Sequence, residues 1–255
     1  MKYDISIISY LDILGFKDII DNDKPEKIFN ILKGFRYLSM PDSDLAKDLE
    51  QNFFNFSDCA VRTTNVLSIA NKKRSLGLLF YELLDVLHIQ MELIYQGIFL
   101  RGGITIGEVF VKDGYLFGPG LVEAYLLEKD IAKTPRIVLR KEVVDLINKV
   151  PALRSWHHKP KEELEYIHDL LKLDNDGYYF IDYIRAMATE VKPEDHFNFL
   201  VSHRDNIKNN RRRFKSDSHN LKKYLWLQEY HNNSISAMSD DFFKTFGIKK
   251  IKMFV

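Results

Sequence analysis

The residue pattern of this chain predicts an α+β fold: a mixed β-sheet with helices packed on one face, followed by a helical C-terminal extension. Three observations carry that prediction. Strand-like apolar runs come in pairs, helical-period runs separate the pairs, and the composition turns polar and basic after about residue 190. Paired strands between helices mean hairpins, which a strict βα alternation lacks. Neither G-x-G-x-x-G nor a P-loop appears to argue for a dinucleotide or P-loop fold.

Ile5 to Asp12 is β-branched and apolar and reads as a buried strand ending before Leu14-Gly15. A short helix from Phe16 follows, then a second after Pro25 through Ile28, Ile31, Leu32 and Phe35. Phe53 to Leu67 holds two strand-like runs with a turn at Ser57-Asp58. Ser75 to Tyr95 is a long apolar-striped helix, with Gly97 placed to cap it and His88 reading as a packing residue. Ile98 to Val111 is a long strand, and Asp113-Gly114 is a two-residue hairpin turn into Tyr115-Leu116-Phe117. A helix over Leu121 to Ile131, a strand over Arg136 to Leu139 and a helix over Lys141 to Ile147 come next. Asp174 to Gly177 turns one strand into another at Tyr178 to Tyr183. We expect residues 1–188 to form the sheet-containing domain and 189–255 the helical extension.

Composition narrows the function classes. The chain has 255 residues, with 37 Lys+Arg against 36 Asp+Glu, so it is no globally basic nucleic-acid binder, and we expect no stable nucleic-acid partner. One cysteine, Cys59, excludes an intramolecular disulfide framework and reads as a small buried residue. No apolar run approaches ~20 residues and the opening does not resemble a signal peptide, so a cytoplasmic protein without membrane attachment is expected.

Two aspartates stand out because each follows an apolar strand-like run: Asp12 after Ile8 to Leu11, and Asp58 after Phe53 to Ser57. Neighbouring strands lie ~4.8 Å apart, so strand-end carboxylates can share divalent cations, and Mg²⁺ or Mn²⁺ suits such oxygen ligands. Alternatively, one caps a helix and the other makes an Asx-turn. Gly102, Gly103 and Gly107 weaken a strand unless a backbone or ligand approaches it closely; a bulge is the other option. Gly118 and Gly120 precede a helix and leave a possible anion-facing end.

The ordered set Y-L-D-I-L-G-F (10–16), F-S-D-C-A-V (56–61), R-G-G-I-T-I-G-E-V (101–109) and Y-L-F-G (115–118) resembles the class III nucleotidyl cyclase catalytic domain. Within that superfamily, G-P-G-L-V-E-A-Y-L-L-E, P-R-I-V-L, D-N-D-G-Y-Y-F-I-D-Y and the tail segment 222–232 are similar to the Pycsar antiphage cyclases, which act on UTP or CTP. The resemblance implies a palm-type, ferredoxin-like sheet and two Mn²⁺ or Mg²⁺ ions held by Asp12, Asp58 and the Ile13 carbonyl. It implies a triphosphate turn at Gly15 and Phe16, with base recognition by Phe54 and Tyr115. Aromatics at those two positions fit a pyrimidine better than the charged contacts of purine cyclases. Val122 and Leu126 stand where purine cyclases carry Asn and Arg, so Arg101 is the expected catalytic cation, with Arg136 and Lys17 next. A homodimer follows too, the aspartates of one subunit facing the Tyr115 hairpin of the other. The product, cyclic UMP or cyclic CMP, would act through a downstream cyclic-nucleotide-sensing effector in antiphage defence. Alternatives are an adenylate or guanylate cyclase, or an inactive cyclase-like module that binds nucleotide.

Overall fold

The computed structural model describes residues 2–41, 47–68 and 74–255. Its centre is an eight-stranded mixed sheet in the order β2-β3-β1-β4-β6-β8-β7, with β5 paired to β4. The strands are β1 (Asp4–Ile13), β2 (Gln51–Phe56), β3 (Cys59–Asn65), β4 (Leu100–Lys112), β5 (Tyr115–Phe117), β6 (Ile137–Leu139), β7 (Leu171–Leu173) and β8 (Tyr179–Ile181). Among the described residues only β4 and β6 pair in parallel, so the sheet is the mixed α+β type expected from the sequence.

Strand periodicity divides the sheet into two faces. Ile7, Leu11 and Ile13 of β1, with Ala60 and Ile104, join the main core. Helices α1 (Phe16–Asn22), α2 (Pro25–Ser39) and α3 (Leu78–Tyr95) contribute Ile19, Phe35 and Leu83 to that core. On the opposite face Ile8, Val61 and Val109 pack against Ala124 of α4 (Pro119–Leu126). Two of the strand glycines answer to this helix, whereas Gly102 faces β1, where a Cβ would sit 2.5 Å from the Tyr10 carbonyl oxygen. A Cβ on Gly103 would sit 2.5 Å from the Ala124 carbonyl oxygen, and one on Gly107 would sit 2.8 Å from the Gly120 Cα. Protein backbone, not a ligand, makes each close approach, and Gly118 and Gly120 lie at the α4 crossing rather than at an anion site.

Helix α3 ends where Gly97, at φ 76°, lets the Ile98 N–H reach the Leu93 carbonyl at 2.9 Å. His88 is not packed in the core; it is exposed, with Nε2 3.7 Å from Glu190. The helix expected to reach Ile131 stops early. α4 gives way to a π-turn at Leu127–Ile131, closed by the Ala132 N–H donating to the Leu127 carbonyl at 2.8 Å. After α5 (Lys141–Lys149), two helices add to the expected order. α6 (Pro160–Leu170) has proline in its first turn, and Glu162 accepts from the Lys159 N–H at 2.8 Å. α7 (Tyr183–Glu190) starts where the sequence pattern still reads as strand.

Beyond residue 190 come α8 (Pro193–Arg213), α9 (Ser218–Ala237) and α10 (Asp240–Thr245). Phe199, Leu200, Ile207, Tyr224 and Leu227 share one continuous core with Phe99 and Ile184. A buried polar chain runs through this packing. The Met253 carbonyl only accepts, so His231 Nε2 donates to it at 2.9 Å. His231 Nδ1 then accepts from His203 Nδ1–H at 3.0 Å, and His203 Nε2 accepts from the Tyr183 hydroxyl at 2.9 Å. In this arrangement each ring carries one proton and every ring nitrogen has a partner.

Burial, more than the pattern of these bonds, holds both imidazoles neutral. Burial draws His203 well below its usual range, and burial, helped by Arg204 and Lys208, pulls His231 down to about 4. The unfolded chain protonates these rings below about pH 6.5 while the folded chain resists, so stability is full above that pH and falls toward pH 4. The expected loss over that window is about 3 kcal/mol from His231 alone. Melting temperatures between pH 7.5 and 4.5 check this, and a flat curve from pH 6.5 to 5 would refute it.

Candidate active site

The end of β1 sets one corner of the site. Asp12 sits opposite Cys59 of β3 and Arg101 of β4, so all three side chains share the α4 face. The carboxylate is 8% exposed, and its oxygens are divided between two donors. Cys59 Sγ–H donates to Oδ1 at 3.3 Å and Arg101 Nε donates to Oδ2 at 2.9 Å. The Tyr10 hydroxyl donates to Cys59 Sγ at 3.3 Å, which fixes the thiol. Burial pushes the Cys59 thiol up to about 12, so it stays protonated at neutral pH.

Asp58 enters from the β2–β3 turn. Ser57 takes a left-handed φ of 52°, and the Ile13 N–H donates to the Asp58 carbonyl at 3.1 Å, tying the turn to β1. Ligand atoms of Asp12, Asp58 and Cys59 then lie within 4.8 Å of one another. Glu128 arrives from the π-turn, 4% exposed, with Oε1 2.7 Å from Arg101 Nη2. Burial raises its pKa to about 7, with the charges of Asp12, Asp58 and Asp130 adding to the effect and Arg101 opposing it. Asp12 is raised as well, by burial and Asp58 against Arg101.

One guanidinium among three carboxylates leaves this corner acidic. Burying such charges is costly unless a cation joins them. Two carboxylates beside a neutral thiol form a hard oxygen donor set, which fits Mg²⁺ or Mn²⁺ better than a thiophilic ion.

A cavity of about 600 Å³ opens over the pair. Asp12, Ile13, Gly15, Phe16, Asp58 and Arg101, six of the residues singled out in the sequence, line it together. Gly15 has φ 73° and turns the chain from β1 into α1, a conformation that favours glycine. The far wall belongs to the start of α9, with Asp217, His219, Asn220 and Lys223.

Phe54 and Tyr115 do not line this cavity. Phe54 is on the Asp12 face but half-buried against Ile8 and Val61. Tyr115 is 71% exposed at the hairpin, opposite Lys112. Lys112 is eleven residues along β4 from Arg101, or roughly 36 Å of strand. Arg136 is not available as a catalytic cation, because it is buried in ion pairs with Asp174 and Asp176 of the β7–β8 turn. Lys17 lines the cavity from an exposed position on α1. Sequence reasoning missed Glu128, Lys223 and the part played by Cys59. The β1–β3 register places Cys59 beside Asp12, whereas nothing in the local pattern marks Glu128 or Lys223.

No family model matches the chain, and no curated protein does. Among solved structures it is similar to the adenylyl cyclase CyaB from P. aeruginosa, at 18% identity over 58% of this chain and 83% of that one, with a TM-score of 0.45. It is also similar to the monomeric guanylyl cyclase domain of the RhoGC fusion protein from Blastocladiella emersonii, at 12% identity over 71% and 96%, with a TM-score of 0.45. A third is the guanylyl cyclase Cya2, at 13% identity over 71% and 94%, with a TM-score of 0.43.

Proposed function

We propose that this chain is a nucleotide cyclase that converts UTP or CTP to the 3′,5′-cyclic monophosphate and pyrophosphate. The observation that carries the proposal is the strand-end pair Asp12 and Asp58, converging in an acidic corner under a cavity large enough for a nucleotide's phosphates. In the reaction the ribose 3′-oxygen bonds to the α-phosphorus, the bond from that phosphorus to the pyrophosphate oxygen breaks, and the hydroxyl proton passes to solvent. Two bound divalent ions would acidify the hydroxyl and neutralise phosphate charge.

The chain's own residues prepare this corner. Asp12, Asp58 and the Ile13 carbonyl would hold the ions. Arg101 and Cys59 fix the Asp12 carboxylate through its two oxygens, and Glu128 holds Arg101 in place. Gly15 and Phe16 turn the backbone beside the phosphates. By the sequence resemblance Phe54 and Tyr115 read the base, and the strand length between Tyr115 and the aspartates favours a Tyr115 that serves the site of a second subunit. Exposed Tyr115, Phe117, Val122 and Leu126 offer apolar surface for such a homodimer. The cyclic product serves as a signal to a cyclic-nucleotide-sensing effector, with antiphage defence as its setting, on the strength of the sequence resemblance.

An inactive nucleotide-binding module is the second reading. It is favoured by Arg101 being tied to both Asp12 and Glu128, which leaves that cation engaged. One experiment decides. Purified protein is incubated with Mn²⁺ and an equimolar mixture of the four nucleoside triphosphates, and the products are separated by chromatography. Cyclic UMP or cyclic CMP is expected as the main product. Cyclic AMP or cyclic GMP in its place overturns the pyrimidine assignment, and no pyrophosphate release from any triphosphate overturns the cyclase.

A further inference from the structure

We infer that the C-terminal helical extension forms part of the catalytic cleft, and that Lys223 on α9 binds the polyphosphate of the nucleotide. The inference deepens the proposed function and rests on it for the identity of the ligand.

The cleft has an acidic wall and needs positive charge to receive a polyphosphate. Arg101 is engaged by two carboxylates, and Lys17 stands exposed on α1. Lys223 differs from both. Its side chain is half-buried and lines the cavity, and among the described residues its hydrogen bond is to a neutral group, Asn220 Oδ1, at 3.0 Å. No ion pair with a carboxylate is seen for it among the described residues. An ammonium partly out of water and without a bonded anion sits at a cost that an incoming anion removes.

The local structure holds this lysine in position. Asp217 caps α9 by accepting from the N–H groups of His219 and Asn220, and it also accepts from Asn220 Nδ2 at 2.7 Å. That second contact orients the Asn220 amide so that its oxygen faces Lys223. With Asp217 occupying the helix end, the lysine side chain and not the helix N-terminus meets the phosphate. The next residue, Tyr224, stacks on Phe214 with ring centroids 5.4 Å apart and packs edge-on to Phe99. Arg213, at the end of α8, forms an ion pair with Asp18 of α1 and fastens the two walls together. Burial and the charge of Arg101 lower the Lys223 pKa, while Asp217 and Asp12 oppose that shift, consistent with an ammonium that looks across the cleft.

The ligand must join a wall suited to divalent cations to a wall bearing an ammonium. A chain of phosphates does this, since its oxygens can bind metal on one side and accept N–H bonds on the other.

Calorimetric titration of the full chain with inorganic triphosphate and Mn²⁺ tests the assignment. Lys223→Met is expected to weaken triphosphate binding by about tenfold to a hundredfold, with Mn²⁺ binding alone and melting temperature unchanged. Lys223→Arg is expected to recover part of the affinity, and the exposed neighbour variant Lys222→Met to bind as wild type. Wild-type affinity in Lys223→Met, or an equal loss in Lys222→Met, overturns the assignment. If triphosphate binding depends on Lys223 but no triphosphate is cyclised, the cyclase proposal falls and the anion site stands. If cyclic nucleotide forms and Lys223→Met changes neither triphosphate affinity nor KM, only the lysine assignment falls.

Discussion

Asp58→Ala is expected to cut metal-dependent turnover by about a thousandfold or more while leaving the folded chain at least as stable as before. Divalent ions in phosphoryl transfer are worth several kcal/mol of transition-state stabilisation, and each 1.36 kcal/mol is a factor of ten. The structural role of this position belongs to its backbone, because the Asp58 carbonyl accepts from the Ile13 N–H, a contact alanine keeps. Removing the side chain also relieves the repulsion that helps to raise the Asp12 and Glu128 pKa values. Calorimetry in the absence of metal should therefore show an equal or higher melting temperature, and the rise produced by added Mn²⁺ should disappear. Unchanged Mn²⁺ stabilisation in this variant would remove Asp58 from the metal site.

Arg62→Met is expected to be the most damaging single change to stability, costing about 3–5 kcal/mol. Arg62 lies on β3, 2% exposed, on the face away from the site. Its Nε donates to Glu82 Oε1 at 2.8 Å, Nη1 to the Ser39 carbonyl at 2.8 Å and Nη2 to Asp85 at 2.7 Å. One side chain thus ties the sheet to the end of α2 and the middle of α3. Among the described residues, methionine would leave Glu82, 4% exposed, with the Ser9 hydroxyl and the Gln51 amide as its donors. The double variant Arg62→Met/Glu82→Leu should recover much of the loss, because exchanging a whole buried pair is far cheaper than halving it. Denaturant titration measures both, and a single-variant cost under about 1 kcal/mol would show that the network adds little.

The sheet was legible because its signals are local. The apolar runs of β1 to β4, the Asp113-Gly114 turn and the Gly97 cap each act within a few residues. Asp12 and Asp58 were legible for the same reason, since a carboxylate following an apolar run is conspicuous in one dimension. Glu128 was hidden because its position depends on a helix widening by one residue per turn after Leu126, where the sequence shows only continued apolar spacing. Lys223 was hidden because its place in the cleft depends on a hairpin of helices folding back across more than 200 residues of chain to reach Asp12. The strand glycines were conspicuous, yet the pattern did not say what approaches them. Only the fold shows that it is backbone, of α4 at Gly103 and Gly107 and of β1 at Gly102.

The α4 crossing has a mechanical consequence. Gly107 and Gly120 meet without an intervening side chain, so β4 and α4 are clamped together and cannot slide past each other without collision. The wall carrying Arg101 and Glu128 is therefore held rigid. The facing wall is held as well, because Tyr224 and Leu227 of α9 lie in the same buried core as Phe99, so a nucleotide would meet a cleft whose two sides are already in place.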